Sequence, residues 1–279
     1  MKINIAILGS TGSIGENILD IVRKDKKNLK VVLLTANKNY KKLIQQAKEF
    51  KVKNILIYND KYYEFLKVKL KGRKINIFSR KTKLNKILKK KVDYTICGIS
   101  GLDGLKPTLD VIKFTKTIAS ANKESIICGW YLINKKLKKY NTKFIPIDSE
   151  HYSIWNLTRE YSNNDIEEII LTASGGPLLN SPIRIQKTIT PEKTVRHPKW
   201  KMGKKISVDS ANLMNKVFEI MEASKMFNFD LEKYKIFIHP QSYAHTIIKF
   251  KNGLIKMLLH DTDMKIPIFN SIYDKKIKY

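Results

Sequence analysis

Asp148-Ser149-Glu150-His151 is the stretch of this chain whose residue types and spacing point most directly to chemistry. It follows the apolar run Phe144-Ile145-Pro146-Ile147, which is expected to form a short strand, so two carboxylates leave its end at i and i+2. In extended backbone such side chains share a face. Carboxylates held together repel unless a proton or a cation lies between them, and an oxygen-rich pair suits Mg²⁺ or Mn²⁺. That reading requires a third acidic ligand elsewhere. The same four residues also describe a helix start, with Asp148 or Ser149 as N-cap, a helix from near His151, and Glu150 favourable in the first turn. Taken alone, the tetrapeptide favours the cap; the rest of the chain shifts the balance.

The region from Arg196 to Glu222 offers the missing ligand. It opens with the basic loop Arg196-His197-Pro198-Lys199-Trp200-Lys201-Met202-Gly203, after which a helix is expected from Ser207. Met214, Val217, Phe218 and Met221 lie at i, i+3, i+4 and i+7 and predict a core stripe. On other faces Asn212, Asn215, Lys216, Glu219 and Glu222 recur at spacings of three and four. A solvated face is the simpler account of such a stripe. Yet asparagines, a lysine and carboxylates are also what grips a phosphate and completes a metal site, which makes Glu219 the candidate third ligand. Upstream, a strand over Ile166 to Thr172 ends in Ala173-Ser174-Gly175-Gly176-Pro177. Such an end can offer N–H groups and a hydroxyl to a phosphate, or be a plain turn. His239 and His245 flank Pro240-Gln241-Ser242, and each has a structural reading beside a functional one.

The elements that must position these residues fall into two halves. Ile3 to Leu8 is a strand candidate followed by Gly9-Ser10-Thr11-Gly12-Ser13-Ile14-Gly15 and a helical pattern, the context of a dinucleotide-binding turn. The spacing is GxxGxxG rather than GxGxxG. After the second strand, Val31 to Leu34, no carboxylate stands ready for an adenine ribose; Thr35-Ala36-Asn37-Lys38-Asn39 follows instead, and Lys38 could neutralise the 2′-phosphate of NADP. Strand candidates near 54–58, 75–78, 94–97 and 117–119 alternate with helices near 40–50, 60–70, 81–90 and 105–114, which predicts a doubly wound, Rossmann-like parallel sheet. Lys123 follows the last of these strands as a candidate substrate contact, with Asn122 as a helix cap. Beyond the acidic tetrapeptide, a helix over Tyr152 to Tyr161 precedes strands at Lys235 to His239, His245 to Phe250 and Leu254 to His260, the last two joined at Asn252-Gly253. The fold class expected is α/β with an α+β second half, divided as 1–147 and 148–279.

Net charge is +29, from 54 basic and 25 acidic residues. Charge of that size raises the question of a nucleic-acid partner. Its distribution argues otherwise: Arg occurs only at 23, 73, 80, 159, 184 and 196, and the rest is Lys spread over nearly every segment, whereas base-reading surfaces favour Arg forks. A broad positive field still draws in phosphorylated small molecules. Cys97 and Cys128 form no zinc-like or redox spacing, and no apolar run is long enough to span a bilayer, so a cytoplasmic protein without a signal peptide is expected.

Seven motifs in order, Gly-Ser-Thr-Gly-Ser-Ile-Gly at 9–15, Ala-Asn-Lys-Glu-Ser at 121–125, Asp-Ser-Glu-His at 148–151, Ser-Gly-Gly-Pro at 174–177, His-Pro-Lys-Trp-Lys-Met-Gly-Lys-Lys-Ile-Ser-Val-Asp-Ser-Ala at 197–211, Met-Asn-Lys at 214–216 and His-Pro-Gln-Ser at 239–242, closely resemble the 1-deoxy-D-xylulose 5-phosphate reductoisomerase family. The resemblance implies conversion of that sugar phosphate to 2-C-methyl-D-erythritol 4-phosphate, in non-mevalonate isoprenoid synthesis, with NADPH and a divalent cation (Mg or Mn). It implies Asp148, Glu150 and Glu219 as metal ligands, and Lys123, Ser149, Ser174, His197, Trp200, Met202, Ser210, Asn215 and Lys216 around the substrate. His151, His197, His245 and Lys123 match positions important for catalysis. Thr11, Gly12, Ser13, Ile14, Lys38, Asn39, Asn122, Glu124 and Gly203 match nucleotide-binding positions, while Asn37 stands where the family usually has Gly. Family members form homodimers through the second domain's sheet and continue into a C-terminal helical domain beyond the point where this chain stops. Two rivals remain on sequence grounds: an NADP-dependent dehydrogenase of another sugar phosphate, and a basic nucleic-acid-binding protein.

Overall fold

A computed structural model describes residues 2–182, 188–195, 197, 199–200 and 203–273. The chain forms two compact units, one running to Ile147 and taking in the chain from Ile268, the other Asp148–Pro267.

In the first unit seven strands, β1 (Ile3–Leu8), β2 (Leu29–Ala36), β3 (Asn54–Ile57), β4 (Asn76–Ser79), β5 (Val92–Cys97), β6 (Thr115–Ser120) and β7 (Lys143–Pro146), pair in the order β4-β3-β2-β1-β5-β6-β7. All neighbours are parallel. The chain winds outward from β1 through β4, returns to the other side of β1 at β5, and continues to β7, which is the expected doubly wound topology. Residues 5–8 of β1 and 94–97 of β5 are buried at every position, without alternation, because both faces of the sheet are covered there. The connecting helices are α1 (Ser13–Lys24), α2 (Tyr40–Glu49), α3 (Asp60–Lys69), α4 (Leu105–Val111) and α5 (Lys123–Tyr140). The helix expected near 81–90 is absent among the described residues; a single 3₁₀ turn, Leu84–Lys86, stands there. Only Ile87 and Leu88 of that stretch are buried, and the lysines at 89–91 repel one another, too little apolar face to sustain a short helix.

The second unit contains α6 (Ser149–Thr158), β8 (Ile166–Ala173), α7 (Pro191–Thr194), α8 (Lys204–Ala211), α9 (Met214–Phe227), β9 (Tyr234–Ile238), β10 (Ala244–Phe250) and β11 (Ile255–Leu259). A last helix, α10 (Lys265–Tyr273), ends in the first unit, where Ser271 shares a 2.6 Å hydrogen bond with Tyr94. The strands form a mixed sheet ordered β11-β10-β8-β9, antiparallel except for β8 with β9. Gly253, at φ +87°, turns the β10–β11 hairpin where Asn252-Gly253 predicts it. Ile154 and Ala223 of α6 and α9 pack with Ile169, Leu171, Ile248 and Phe250 of the sheet into one core.

Two expectations about the helices change. The helix expected from Ser207 is two helices, broken at Asn212-Leu213, where Leu213 takes the left-handed conformation at φ +60°. The stripe expected in the core is turned outward: Met214, Val217 and Met221 are 42%, 44% and 40% exposed, whereas Lys216, Glu219 and Glu222 are 4%, 1% and 1%. Hydrophobic periodicity marks the face that packs only when the opposite face can be solvated. Here the polar face is buried because its charges meet partners on α6.

Candidate metal and phosphate site

Asp148 stands at the N-cap position of α6, with φ −63° and ψ 137°, as the cap reading expected, yet its side chain makes no capping bond to the helix. Asp148, Glu150 and Glu219 instead bring one carboxylate oxygen each to within 4.8 Å of one another. Lys216 lies among them: its Nζ donates to Glu150 Oε1 at 2.7 Å and lies 2.5 Å from Glu219 Oε2. Ser149 Oγ donates to Glu150 Oε2 at 2.7 Å, and Asn215 Nδ2 donates to Glu219 Oε1. Burial alone would lower the Lys216 ammonium; attraction to Glu150 and Glu219 outweighs it and holds the group above the ordinary lysine range. The donor set, three convergent carboxylates able to take a cation in a largely buried place, fits a hard dication such as Mg²⁺ or Mn²⁺.

His151, fully buried on α6, reaches α9 with both edges of its ring. Nε2 is 2.8 Å from the carbonyl oxygen of Glu219, and Nδ1 is 3.3 Å from Glu222 Oε2 and 3.6 Å from Asp148 Oδ2. Glu222 had stood among the polar residues of its helix without a role.

A second cluster gathers where β8 ends. Ser174 Oγ accepts from the N–H of Gly176 at 3.1 Å and lies 2.9 Å from His197 Nε2. His197 Nδ1 accepts from the N–H groups of Lys199 and Trp200, at 3.1 and 2.9 Å, so Nε2 carries the ring proton and donates to Ser174. Burial lowers the pKa of His197, which favours this neutral form. Gly176 has φ +69°, and a Cβ there would come 2.3 Å from the carbonyl oxygen of Ser210. Only glycine lets the turn lie this close to the end of α8, so Ser174, His197 and Ser210 are drawn into one neighbourhood. Lys216 and Asn215, expected beside a phosphate, are turned on the carboxylates.

His245 is buried and stacks on His260 with ring centroids 3.8 Å apart, while Trp200 meets it edge-on at 5.9 Å. Its Nε2 donates to the His260 carbonyl at 3.1 Å. Burial lowers both imidazoles, His260 to about 4 with His245 adding to the effect. His239 accepts from the N–H of Tyr243 within its own turn, a structural role. Met202 lies outside the described residues, and Gly203 is the N-cap residue of α8.

In the first unit the glycine turn follows β1 where strand order reverses between β1 and β5. A Cβ on Gly15 would sit 2.4 Å from the carbonyl oxygen of Gly9, so α1 starts hard against the turn. Thr11, Gly12, Ser13 and Ile14 lead into α1, whose N-cap residue is Gly12. That leaves helix N–H groups and the dipole to face a phosphate. Two residues the sequence reading passed over hold this turn: Thr35 Oγ1 accepts from the N–H of Gly9 at 3.0 Å, and Gln46 exchanges hydrogen bonds with Ser10 at 2.8 and 2.9 Å. A Gln on the apolar face of an expected helix was the available signal. Asn37, Lys38 and Asn39 are exposed after β2, and Asn39 caps α2. Asn122 caps α5 and donates to the Gly101 carbonyl at 2.8 Å; Lys123, next to it, is buried, and Glu124 is half-buried.

The chain matches the family model described as 1-deoxy-D-xylulose 5-phosphate reductoisomerase over residues 5–129, and that family's C-terminal domain model over 144–227. It is 56% identical to 1-deoxy-D-xylulose 5-phosphate reductoisomerase of Pelagibacter ubique (strain HTCC1062), an alignment that covers 98% of this chain and 72% of the relative. Among solved structures it is similar to the Zymomonas mobilis enzyme in complex with NADPH, at 35% identity and TM-score 0.89, over all of this chain and 73% of that one. It is also similar to a reductoisomerase in complex with NADPH, fosmidomycin and magnesium, at 34% identity and TM-score 0.91, over all of this chain and 71% of that one.

Proposed function

Since the chain belongs to the 1-deoxy-D-xylulose 5-phosphate reductoisomerase family, we propose that it converts 1-deoxy-D-xylulose 5-phosphate to 2-C-methyl-D-erythritol 4-phosphate with NADPH and a divalent cation. The observation that carries this reading is the convergence of Asp148, Glu150 and Glu219 within 4.8 Å in the same unit as the Ser174, His197 and Ser210 cluster. A sugar phosphate needs both ends held: the reacting oxygens at a cation, the phosphate by hydroxyls and N–H groups.

Asp148, Glu150 and Glu219 would hold the cation, and the glycine turn from Thr11 to Ile14 would cradle the NADPH pyrophosphate. When bound, the cation supplies Lewis acidity at the substrate carbonyl during cleavage and rejoining of the carbon skeleton, and NADPH supplies the hydride that reduces the resulting aldehyde. Ser174 and Ser210, with His197 donating to Ser174, would take the phosphate; Ser149 and Lys123 are assigned to the reacting end. Lys216 offsets here two of the carboxylates a dication would offset, and with a cation held there its ammonium, together with Asn215, would be free to meet the phosphate. Trp200 and His245 form an apolar and aromatic wall that would keep water from the reacting carbons. Lys38, with Asn37 and Asn39, is assigned to the adenosine 2′-phosphate, and Asn122, Glu124 and Gly203 to the rest of the cofactor. His245 is assigned to catalysis without a specified proton.

The measurement that tests this is NADPH oxidation on adding 1-deoxy-D-xylulose 5-phosphate with Mg²⁺ or Mn²⁺, with the product identified. Oxidation without the branched product would instead mark a plain dehydrogenase, and no oxidation by folded protein would sink the reading.

A homodimer through the mixed sheet is proposed as well. Ile255, Met257 and Leu259 alternate along the edge strand β11 and are all exposed, an apolar row that suits a second copy. Light scattering should give a dimer mass that Met257→Lys lowers. Among the described residues no helix is long and apolar enough to cross a membrane, and a cytoplasmic place suits a protein acting on a phosphorylated metabolite.

A further inference from the structure

Glu222 is an acid on α9 that the site above does not use, although it is as buried as Glu219. Burying a carboxylate is costly unless a partner offsets it, and packing alone would be served better by an apolar side chain. Its Oε2 is 3.3 Å from His151 Nδ1, and the opposite edge of the same ring is 2.8 Å from the carbonyl oxygen of Glu219. A carbonyl only accepts, so Nε2 carries a proton and donates to it. One edge of this α6 ring is thus hydrogen-bonded to α9, and its other edge lies within ion-pair distance of an α9 carboxylate three residues further on.

We propose that Glu222 is a positioning residue which, through His151, seats α9 on α6 and so sets the separation of the carboxylates of Asp148, Glu150 and Glu219. Asp148 and Glu150 belong to the same end of α6, and their mutual spacing is local. Glu219 comes from the other helix, and its distance from them depends on how the two helices dock. His151 touches the backbone of Glu219 itself and lies 3.6 Å from Asp148 Oδ2, which makes it, beside Lys216, a direct link between the two sides of the set. His151 is then a brace and not a proton carrier, since its ring is sealed from solvent, with Nε2 donating to the Glu219 carbonyl and Nδ1 facing the carboxylates of Glu222 and Asp148. Partners behind a metal ligand orient it, and their loss weakens metal binding by about 10–100-fold.

The proposal rests on the cation reading above. Mn²⁺ binding to the whole chain without substrate, followed by electron paramagnetic resonance and calorimetry, tests it in the wild type and in Glu222→Gln, His151→Gln and the double variant, with Glu219→Gln as the marker of the cation site. Glu222→Gln should weaken Mn²⁺ about 10–100-fold. His151→Gln keeps a donor for the Glu219 carbonyl but loses the link to Glu222, and should weaken it comparably. The double variant should be no worse than either single one, because the pair acts as a unit. NADPH affinity should stay at the wild-type value in all three. Folded Glu222→Gln with wild-type Mn²⁺ affinity overturns the proposal, as do multiplicative effects in the double variant. Lowered turnover with intact Mn²⁺ affinity in His151→Gln does so too, and returns His151 to proton transfer. Should Glu222→Gln not fold, His151→Gln decides by the same affinity. If wild-type protein binds no Mn²⁺ that Glu219→Gln abolishes, the cation reading itself has failed, and that shows in the wild type before any brace variant is compared.

Discussion

Nζ of Lys216 lies 2.7 Å from Glu150 Oε1 and 2.5 Å from Glu219 Oε2, so one buried ammonium holds together two carboxylates that come from different helices. Removing the ammonium leaves both carboxylates buried without it. Loss of one partner of such a buried set costs about 3–5 kcal/mol. Lys216→Met is therefore expected to lower the urea midpoint sharply in metal-free buffer. Because a dication compensates the same charges, millimolar Mg²⁺ should restore more stability to the variant than to the wild type, by the binding linkage RT ln(1 + [L]/Kd). Equal Mg²⁺ effects in the two proteins would show that Lys216 and the cation do not share a place.

Glu219→Gln separates the cation-ligand assignment from an ordinary helix residue. The amide is nearly isosteric, still accepts from Asn215, and lacks only the charge that offsets a dication. Metal-dependent turnover should fall by orders of magnitude and require more metal, while NADPH affinity, assigned above to the first unit's glycine turn, should be unchanged. Near-normal turnover at low metal would refute the assignment.

How much of this was legible in the sequence differs by element. The seven parallel strands are short apolar runs separated by helical patterns, and local composition suffices to find them. Residue type and helical phase single out Glu219, whose carboxylate does lie within 4.8 Å of those of Asp148 and Glu150. The burial of its helix was read backwards, because Met214, Val217 and Met221 form the stronger hydrophobic stripe and yet face outward. What decides the matter is the charge set on α6 that the polar face meets, and a contact between residues almost seventy positions apart leaves no periodic trace. The break at Leu213 was invisible for a related reason: a leucine at φ +60° has no sequence signature of the kind glycine or asparagine provides. Glu222 stands out in the sequence only as one more polar residue of its helix, and Gln46 not at all, because each meets a neighbour, His151 or Ser10, whose place the sequence does not give.

The histidine stack predicts acid sensitivity with a definite sign. His260 has its folded pKa pushed down to about 4, by burial and then by His245, against about 6.5 in an unfolded chain. Between those values the unfolded state binds more protons, so stability rises with pH. The contribution is fully present above about pH 6.5 and is lost as pH falls toward 4. His245 and His197, both lowered by burial, act in the same sense. Urea midpoints taken between pH 7 and 4 should fall, and His260→Gln should reduce the slope. An unchanged slope in that variant would place the acid sensitivity elsewhere.

Gly176 offers the sharpest test of the phosphate cluster. Its φ of +69° disfavours any side chain, and a Cβ would lie 2.3 Å from the Ser210 carbonyl oxygen, so Gly176→Ala must push the Ser174 turn away from the end of α8. The backbone strain alone is worth about 1–3 kcal/mol. If Ser174 and Ser210 hold the substrate phosphate together, displacing one from the other by even an ångström should cut kcat/KM by about 10²-fold. NADPH affinity should stay as it was. Gly253→Ala is the matched control from the same unit, because Gly253, in the β10–β11 hairpin, also has a positive φ, +87°, but open space where a Cβ would go. It should fold and turn over close to the wild type. Comparing kcat/KM for the phosphorylated sugar in the two variants, alongside their urea midpoints, distinguishes a displaced phosphate site from general destabilisation. A Gly176→Ala protein that is less stable yet keeps wild-type kcat/KM below its unfolding transition would show that the turn supports the fold and does not touch the substrate.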